Sequence, residues 1–196
     1  MSSILLCGVG GQGTVLASRV LAQAAMARGY FARTAETIGM AQRGGSVVSH
    51  VRFGEDVHSS LIPPRGADII IASEPCEAVR NLGYLAPGGL IVTSDAAIQP
   101  VTASLSGKRF EGSDMIDYLR RHARVCVLDA GELDRRCGSL KPLNMALIGC
   151  ALECSDVGIT ADDAEAALRE RLSPKYLDMN MRAMALGREC GRAARA

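Results

Sequence analysis

The stretch Gly8-Val9-Gly10-Gly11-Gln12-Gly13-Thr14 restricts what this chain can fold into more than any other. Ser3 to Cys7 before it reads as a short buried strand, and Thr14 to Met26 after it reads as an apolar helix. Strand, glycine-rich turn and helix in that order form a geometry that receives anions. Glycine reaches the dihedrals of such a turn and lets another molecule approach the main chain. The first amides of a helix lack intrahelical acceptors, and the helix dipole makes that end positive. Gly8, Gly10 and Gly13 also satisfy the G-x-G-x-x-G spacing of dinucleotide-binding domains. In such domains an acidic residue closes the second strand, and Glu36 stands near that place. A nicotinamide or flavin nucleotide, a purely structural turn, and a contact surface for a protein or ligand all stay open.

Gly29 stops the first helix, and Tyr30 to Ala35 reads as a second strand, which implies a βαβ unit with a parallel strand pair. Glu36 to Gly45 is polar and reads as an exposed loop. Ser46 to Phe53 is predicted as a strand, Gly54-Glu55-Asp56 as a hairpin turn, and Val57 to Ile62 as the returning antiparallel strand. Asp68 to Ala72 is continuously apolar after Asp68, as a strand covered on both faces should be. Further on, the pattern predicts a helix over Pro75 to Leu82 and a strand over Leu90 to Thr93 after a Pro87-Gly88-Gly89 turn. A helix over Ser113 to His122 and a strand over Arg124 to Leu128 follow. Asn144 to Leu152 is apolar on nearly every side, so it is buried in the core or against a partner. Thr160 to Asp163 has the form of a capping box before a helix over Ala164 to Leu172. The last helix is predicted from Tyr176 to Gly187, with a frayed tail from Gly191. Together these elements predict one α/β domain over residues 1–196: a Rossmann-like, mainly parallel sheet flanked by helices, with an inserted antiparallel hairpin.

Composition removes several functions. A net charge of +1 gives no electrostatic case for nucleic acid or an anionic membrane. No apolar run approaches the roughly 20 residues of a membrane helix. Seven cysteines are dispersed without a Cys-x-x-Cys pair, so the local spacing of a zinc site or a ferredoxin-type cluster is missing. An odd number of scattered thiols fits a reducing cytoplasm, where most act as small buried hydrophobes. No metal ligand and no catalytic residue is expected. His50, His58 and His122 read as structural or solvated, and Asp95, Asp114 and Asp117 make no paired carboxylate that spacing can establish. Asp129 ends a strand at the ligand-binding edge and is a weak candidate.

Two features depart from an ordinary dehydrogenase. Gln12 places an amide where small residues usually admit a pyrophosphate. The loop Glu36 to Ser46 then packs Gln42, Arg43, Gly44 and Gly45 beside the first turn, and Arg43 can fork onto a phosphate or carboxylate. At these residues a resemblance becomes specific. GVGGQGTVLASRVLAQAA followed by ETIGMAQRGGSVVSHVRFG resembles the gamma-type subunits of 2-oxoacid:ferredoxin oxidoreductases, and among them the beta subunits of indolepyruvate enzymes. The likeness continues through VHSSLIPPRGADIIIASEP and PGGLIVTSD to Asn144, and ends with Asn180, Ala183 and Gly187. One departure is Ser73 before Glu74-Pro75, where an aromatic or apolar residue is usual.

The resemblance implies a role that composition and spacing do not show. Such complexes oxidatively decarboxylate a 2-oxoacid with coenzyme A and reduce ferredoxin, with thiamine diphosphate and iron-sulfur clusters on the partner alpha subunit. This chain would be inactive alone and would complete the partner's active site. Gly10, Gly11, Gln12, Gly13 and Thr14 would then bind coenzyme A, and Gln42, Arg43, Gly44, Gly45 and Ser46 would contact the substrate or the partner's active site. A homodimer of the isolated chain is a further expectation to test. The rivals are a free-standing NAD- or FAD-dependent oxidoreductase and an interaction scaffold without a ligand.

Overall fold

The computed structural model describes residues 1–36, 45–98 and 112–195. Its strands are β1 (Ser2–Val9), β2 (Phe31–Glu36), β3 (Ser46–Gly54), β4 (Ala67–Ala72), β5 (Leu85–Ser94) and β6 (Arg124–Leu128). They join in one sheet of order β2-β3-β1-β4-β5-β6. The pairs β1–β4, β4–β5 and β5–β6 are parallel, and β3 runs antiparallel to both of its neighbours. The helices are α1 (Thr14–Ala27), α2 (Pro75–Arg80), α3 (Gly112–His122), α4 (Ala130–Cys137), α5 (Leu143–Cys154), α6 (Ala161–Arg171) and α7 (Pro174–Arg195).

Strand alternation divides the core. Ile4, Leu6, Ile69, Ile71 and Val92 share one apolar cluster with α1, α5, α6 and α7. Their neighbours Leu5, Cys7, Ile70, Ala72 and Ile91 share the other with Ala78 of α2 and Leu119 of α3. Burial on both faces explains why β4 reads as an unbroken apolar run. The expected α/β architecture with a mainly parallel sheet is present.

The antiparallel part differs from the expectation. β1 and β2 do not pair, because β3 lies between them. Val57 to Ile62 is not a strand, since both edges of β3 are already occupied by β1 and β2. Side chains hold that segment instead. Arg52 donates to the carbonyls of Ser59 and Leu61, and the Ile62 amide donates to His50 Nδ1 at 3.2 Å.

Several element boundaries also move, among them the starts of α6 at Ala161 and α7 at Pro174. The Pro87-Gly88-Gly89 turn is absorbed into β5, with Gly88 at φ 78° and a register shift against β4. α2 ends at Arg80, and Leu82 to Tyr84 forms a separate 3-10 turn. α7 continues to Arg195 rather than fraying from Gly191. Packing against α5 holds it. A Cβ on Gly187 would collide with the Ala146 carbonyl, and one on Gly191 would lie 2.7 Å from the Cys150 carbonyl oxygen. Arg188 then ties three helices together, reaching Glu153 of α5 and Asp162 and Glu165 of α6. The capping box of α6 forms as expected: the Thr160 hydroxyl accepts from the Asp163 amide, and the Asp163 carboxylate accepts from the Thr160 amide.

Candidate functional site

The chain leaves β1 for α1 on one face of the sheet and leaves β4 for α2 on the other. The carboxyl ends of these adjacent strands therefore part, which is where open α/β sheets bind ligands. The glycine turn stands at this point, and its residues divide the labour. Gln12 folds back so that its Oε1 accepts from the Val9 amide at 2.7 Å. A Cβ on Gly8 would lie 2.7 Å from that oxygen and 3.2 Å from Ser73 Cβ, so Gly8 makes room for the chain's own side chains. Gly13 caps α1 at φ 79°, a conformation L residues resist. Its carbonyl accepts from Asn144 Nδ2 at 2.8 Å. Gly11, at φ 102°, is exposed and has nothing within 4 Å of where a Cβ would stand. α1 has no side-chain cap and no acid in its first turn, so its leading amides suit an external acceptor. Thr14 is buried at the foot of the helix.

The second predicted loop meets this turn where it is described. The Gly10 amide donates to the Gly45 carbonyl at 2.8 Å, and Ser46 pairs with Val9. The Ser46 hydroxyl reaches the Glu77 carboxylate rather than the open space. Gln42, Arg43 and Gly44 lie outside the described residues.

A cleft of about 1080 Å³ opens from Gly11, Gln12 and Gly13 toward Leu140, Asn144, Tyr176 and Asn180. Lys141 carries the only charge among its described lining residues. Ile98, Leu140 and Tyr176 on its wall are 44–50% exposed, leaving apolar surface around a polar floor. A smaller hollow of about 310 Å³ lies on the other side of the turn, between Thr14 and Ser49. Sequence reasoning placed Asn144 and Asn180 in helices without a role. Their available signal was one amide at the start of an apolar run and another in the last helix. Both are buried, Asn144 against Gly13 and Asn180 donating to the Tyr176 carbonyl.

Behind the turn stand two buried carboxylates. Glu74, 1% exposed, caps α2 by accepting from the Glu77 amide at 2.9 Å. Glu77 pairs with Arg80 and accepts from Ser46. Burial pushes the Glu74 carboxyl above the usual range, opposed by the amides that point at it. Its ordinary value is 4.5, so above that pH the folded state holds its proton longer than the unfolded chain does. Glu74 should therefore make stability fall as pH rises through this window. The wild-type stability minus that of Glu74→Gln, from denaturant titrations, should decline above pH 4.5 and level off once Glu74 is ionised. A difference that grows with pH would contradict this assignment.

Other candidates resolve into structure. Glu36 accepts from the Ser18 hydroxyl at 2.7 Å. With β3 interposed, the end of β2 is two strand spacings, roughly 10 Å, from β1. Asp129 caps α4 through the Glu132 amide at 2.8 Å, so it is a helix cap. His50 Nδ1 accepts a hydrogen bond from the Ile62 amide, and burial pushes its pKa down. His58 pairs with Asp56 on the surface, and His122 stacks on Tyr118.

This arrangement of turn, sheet and helices is the fold of oxoacid ferredoxin oxidoreductase gamma subunits. The gamma subunit of a keto/oxoacid ferredoxin oxidoreductase from Geobacter sulfurreducens superposes with a TM-score of 0.72, covering 98% of this chain and 99% of that one at 20% identity. A 2-oxoglutarate:ferredoxin oxidoreductase from Magnetococcus marinus, solved with 2-oxoglutarate, coenzyme A and succinyl-CoA bound, superposes with a TM-score of 0.73 at 19% identity, over 98% of this chain and 31% of that one. Residues 3–190 match the family described as pyruvate ferredoxin/flavodoxin oxidoreductase, and the chain belongs to that family. Its curated relatives include the indolepyruvate oxidoreductase subunits IorB of Thermococcus kodakarensis and Archaeoglobus fulgidus. The first is 36% identical, covering 94% of this chain and 93% of the relative; the second is 37% identical, covering 94% and 92%. No described helix is long and apolar enough to cross a membrane.

Proposed function

We propose that this chain is the thiamine-free subunit of a cytoplasmic, indolepyruvate-type 2-oxoacid:ferredoxin oxidoreductase, inactive alone, completing an active site on an alpha subunit. One observation carries the reading. The cleft offers open helix amides and Lys141 at a glycine turn, walled by exposed apolar residues, and its described lining holds no acidic or histidine side chain. Such a surface binds and encloses rather than reacts. The relatives named for indolepyruvate support the aryl substrate, over other 2-oxoacids. On this reading thiamine diphosphate on the partner supplies the decarboxylation chemistry, and the partner's iron-sulfur clusters pass electrons to ferredoxin. This chain's residues position and exclude water. The amides of Gly11, Gly13 and Thr14 and the Lys141 ammonium meet phosphates of coenzyme A, and Arg43 adds a second cation from the neighbouring loop, while the Gln12 main-chain amide is held by the Val9 carbonyl. Ile98, Leu140 and Tyr176 close against the partner, or against a second copy when the chain is isolated. The β3 strand between β1 and β2 argues against a bound nicotinamide.

The purified chain alone should not reduce ferredoxin, and co-expression with the alpha subunit should give indolepyruvate- and coenzyme A-dependent reduction. NADH-dependent turnover by the isolated chain would overturn the subunit reading. In the complex, Lys141→Ala and Arg43→Ala should each raise the KM for coenzyme A about tenfold, the effect of losing one charge-assisted contact of about 1.5 kcal/mol. Unchanged values in both variants, with assembly intact by gel filtration, would remove coenzyme A from this surface.

A further inference from the structure

Four cysteines that sequence scatters across 65 positions meet behind the sheet, far along the chain from the glycine turn. Cys126 comes from β6, Cys150 and Cys154 from successive turns of α5, and Cys190 from α7. Cys126 Sγ lies 3.1 Å from Cys150 Sγ and 3.8 Å from Cys190 Sγ. The sulfurs of Cys126, Cys150 and Cys154 all fall within 4.8 Å of one another. Thiolate bonds of about 2.3 Å to a tetrahedral ion would set ligand sulfurs roughly 3.8 Å apart. The spacings among Cys126, Cys150 and Cys154 and the Cys126–Cys190 distance bracket that value, while Cys190 stands just outside the set of three mutually close sulfurs and would turn inward to complete a tetrahedron. These spacings suit a single ion rather than a multi-iron cluster, whose cysteines bind different irons and stand wider apart.

We propose that Cys126, Cys150, Cys154 and Cys190 form a structural tetrathiolate site for one zinc ion. The expectation that these thiols are only small hydrophobes rested on the missing Cys-x-x-Cys pair, but three elements supply the ligands here. Cys150 and Cys154 face the same way because they are four residues apart on a helix. Tight packing of α7 on α5 at Gly187 and Gly191 brings Cys190 to the same point. Cys190 joins the three mutually close sulfurs through Cys126, whereas Cys7, Cys76 and Cys137 belong to neither contact. Cys190 is half-buried and provides a route in, while Cys126, Cys150 and Cys154 are buried. Binding releases the thiol protons to solvent, and zinc undergoes no redox change. It also displaces two long thiol contacts, Cys154 to the Gly191 carbonyl at 3.4 Å and Cys190 to the Val127 carbonyl at 3.8 Å.

The test uses the full chain, purified anaerobically with a thiol reductant and without added metal. Elemental analysis should find one zinc per chain after gel filtration. Exchange with Co²⁺ should give the intense visible bands and thiolate charge-transfer absorption of a tetrahedral cobalt–sulfur centre. Cys190→Ser, chosen because that position is half-buried, should weaken Co²⁺ binding on the order of 100-fold or more. Cys76→Ser, outside the group, should leave it unchanged. A chain that holds no zinc and gives no thiolate–cobalt spectrum in wild type overturns the site, whatever the variants do. So does a native mass two hydrogens short, which would mean a Cys126–Cys150 disulfide.

Discussion

Gly187→Ala is expected to destabilise the chain by about 3 kcal/mol, the upper part of the range for overpacking a filled interior. The added methyl would meet the Ala146 carbonyl, and a main-chain oxygen inside α5 cannot rotate aside as a side chain can. The two helices must separate, and Met184, Leu186 and Met145, all buried at or near this contact, lose packing. For a chain of this size 1 kcal/mol shifts the melting temperature by roughly 2–4 °C, so a drop near 10 °C should appear in a thermal melt. Gly83→Ala is the control. It has nothing within 4 Å of the new Cβ and no left-handed backbone, so its effect should stay within about 0.5 kcal/mol. A Gly187→Ala melt within a degree or two of wild type would show that α5 and α7 part without cost. Because Gly191 and Cys190 follow on the same helix, the same separation should loosen the thiol cluster.

The elements that sequence located best are those whose signal is local. β4 announces itself by a continuous apolar run, α6 by its capping box, and the glycine turn by the dihedrals that Gly11 and Gly13 adopt. What stayed hidden depends on neighbours distant in the chain. Ser46 to Phe53 was legible as a strand, but the turn-like Gly54-Glu55-Asp56 pointed it toward Val57 to Ile62. β1 and β2 compete for the same edges and hold them, because Ile4, Val51 and Phe53 bury together in one cluster. α4 was read only as a strand end, since Leu133, Cys137 and Ala130 are its sole buried residues among polar neighbours. At the site, the glycines were legible but their reasons were divided: Gly8 serves Gln12, Gly13 serves Asn144, and Gly11 faces open space. The cysteine convergence could not be read, because it requires β6, α5 and α7 to be placed first. Gln42, Arg43 and Gly44, singled out by sequence, lie outside the described residues.

The largest functional effect is expected at Asn144, which contributes position rather than chemistry. Its Nδ2 donates to the Gly13 carbonyl while its Oδ1 accepts from the Met145 amide, so one side chain locks the start of α5 to the start of α1. Asn144→Leu keeps the branched four-heavy-atom outline in apolar surroundings but removes the lock. The Ala17 amide still satisfies the Gly13 carbonyl, so stability should fall by only about 1 kcal/mol. The turn, however, holds Gly13 in a left-handed conformation with nothing else on its cleft side, and an ångström of drift there would misplace whatever it orients. Misplacement on that scale costs on the order of 100-fold in rate. With the complex assembled, kcat for 2-oxoacid-dependent ferredoxin reduction should fall by about that factor. Asn144→Asp separates position from charge. It puts a carboxylate against the Gly13 carbonyl and beside the amides proposed to hold a phosphate, so it should also raise the KM for coenzyme A, more at low ionic strength than at high. If Asn144→Leu leaves kcat untouched in an assembled complex, the turn does not orient the reaction. If Asn144→Asp matches Asn144→Leu in KM at every salt concentration, no anion sits at the start of α1.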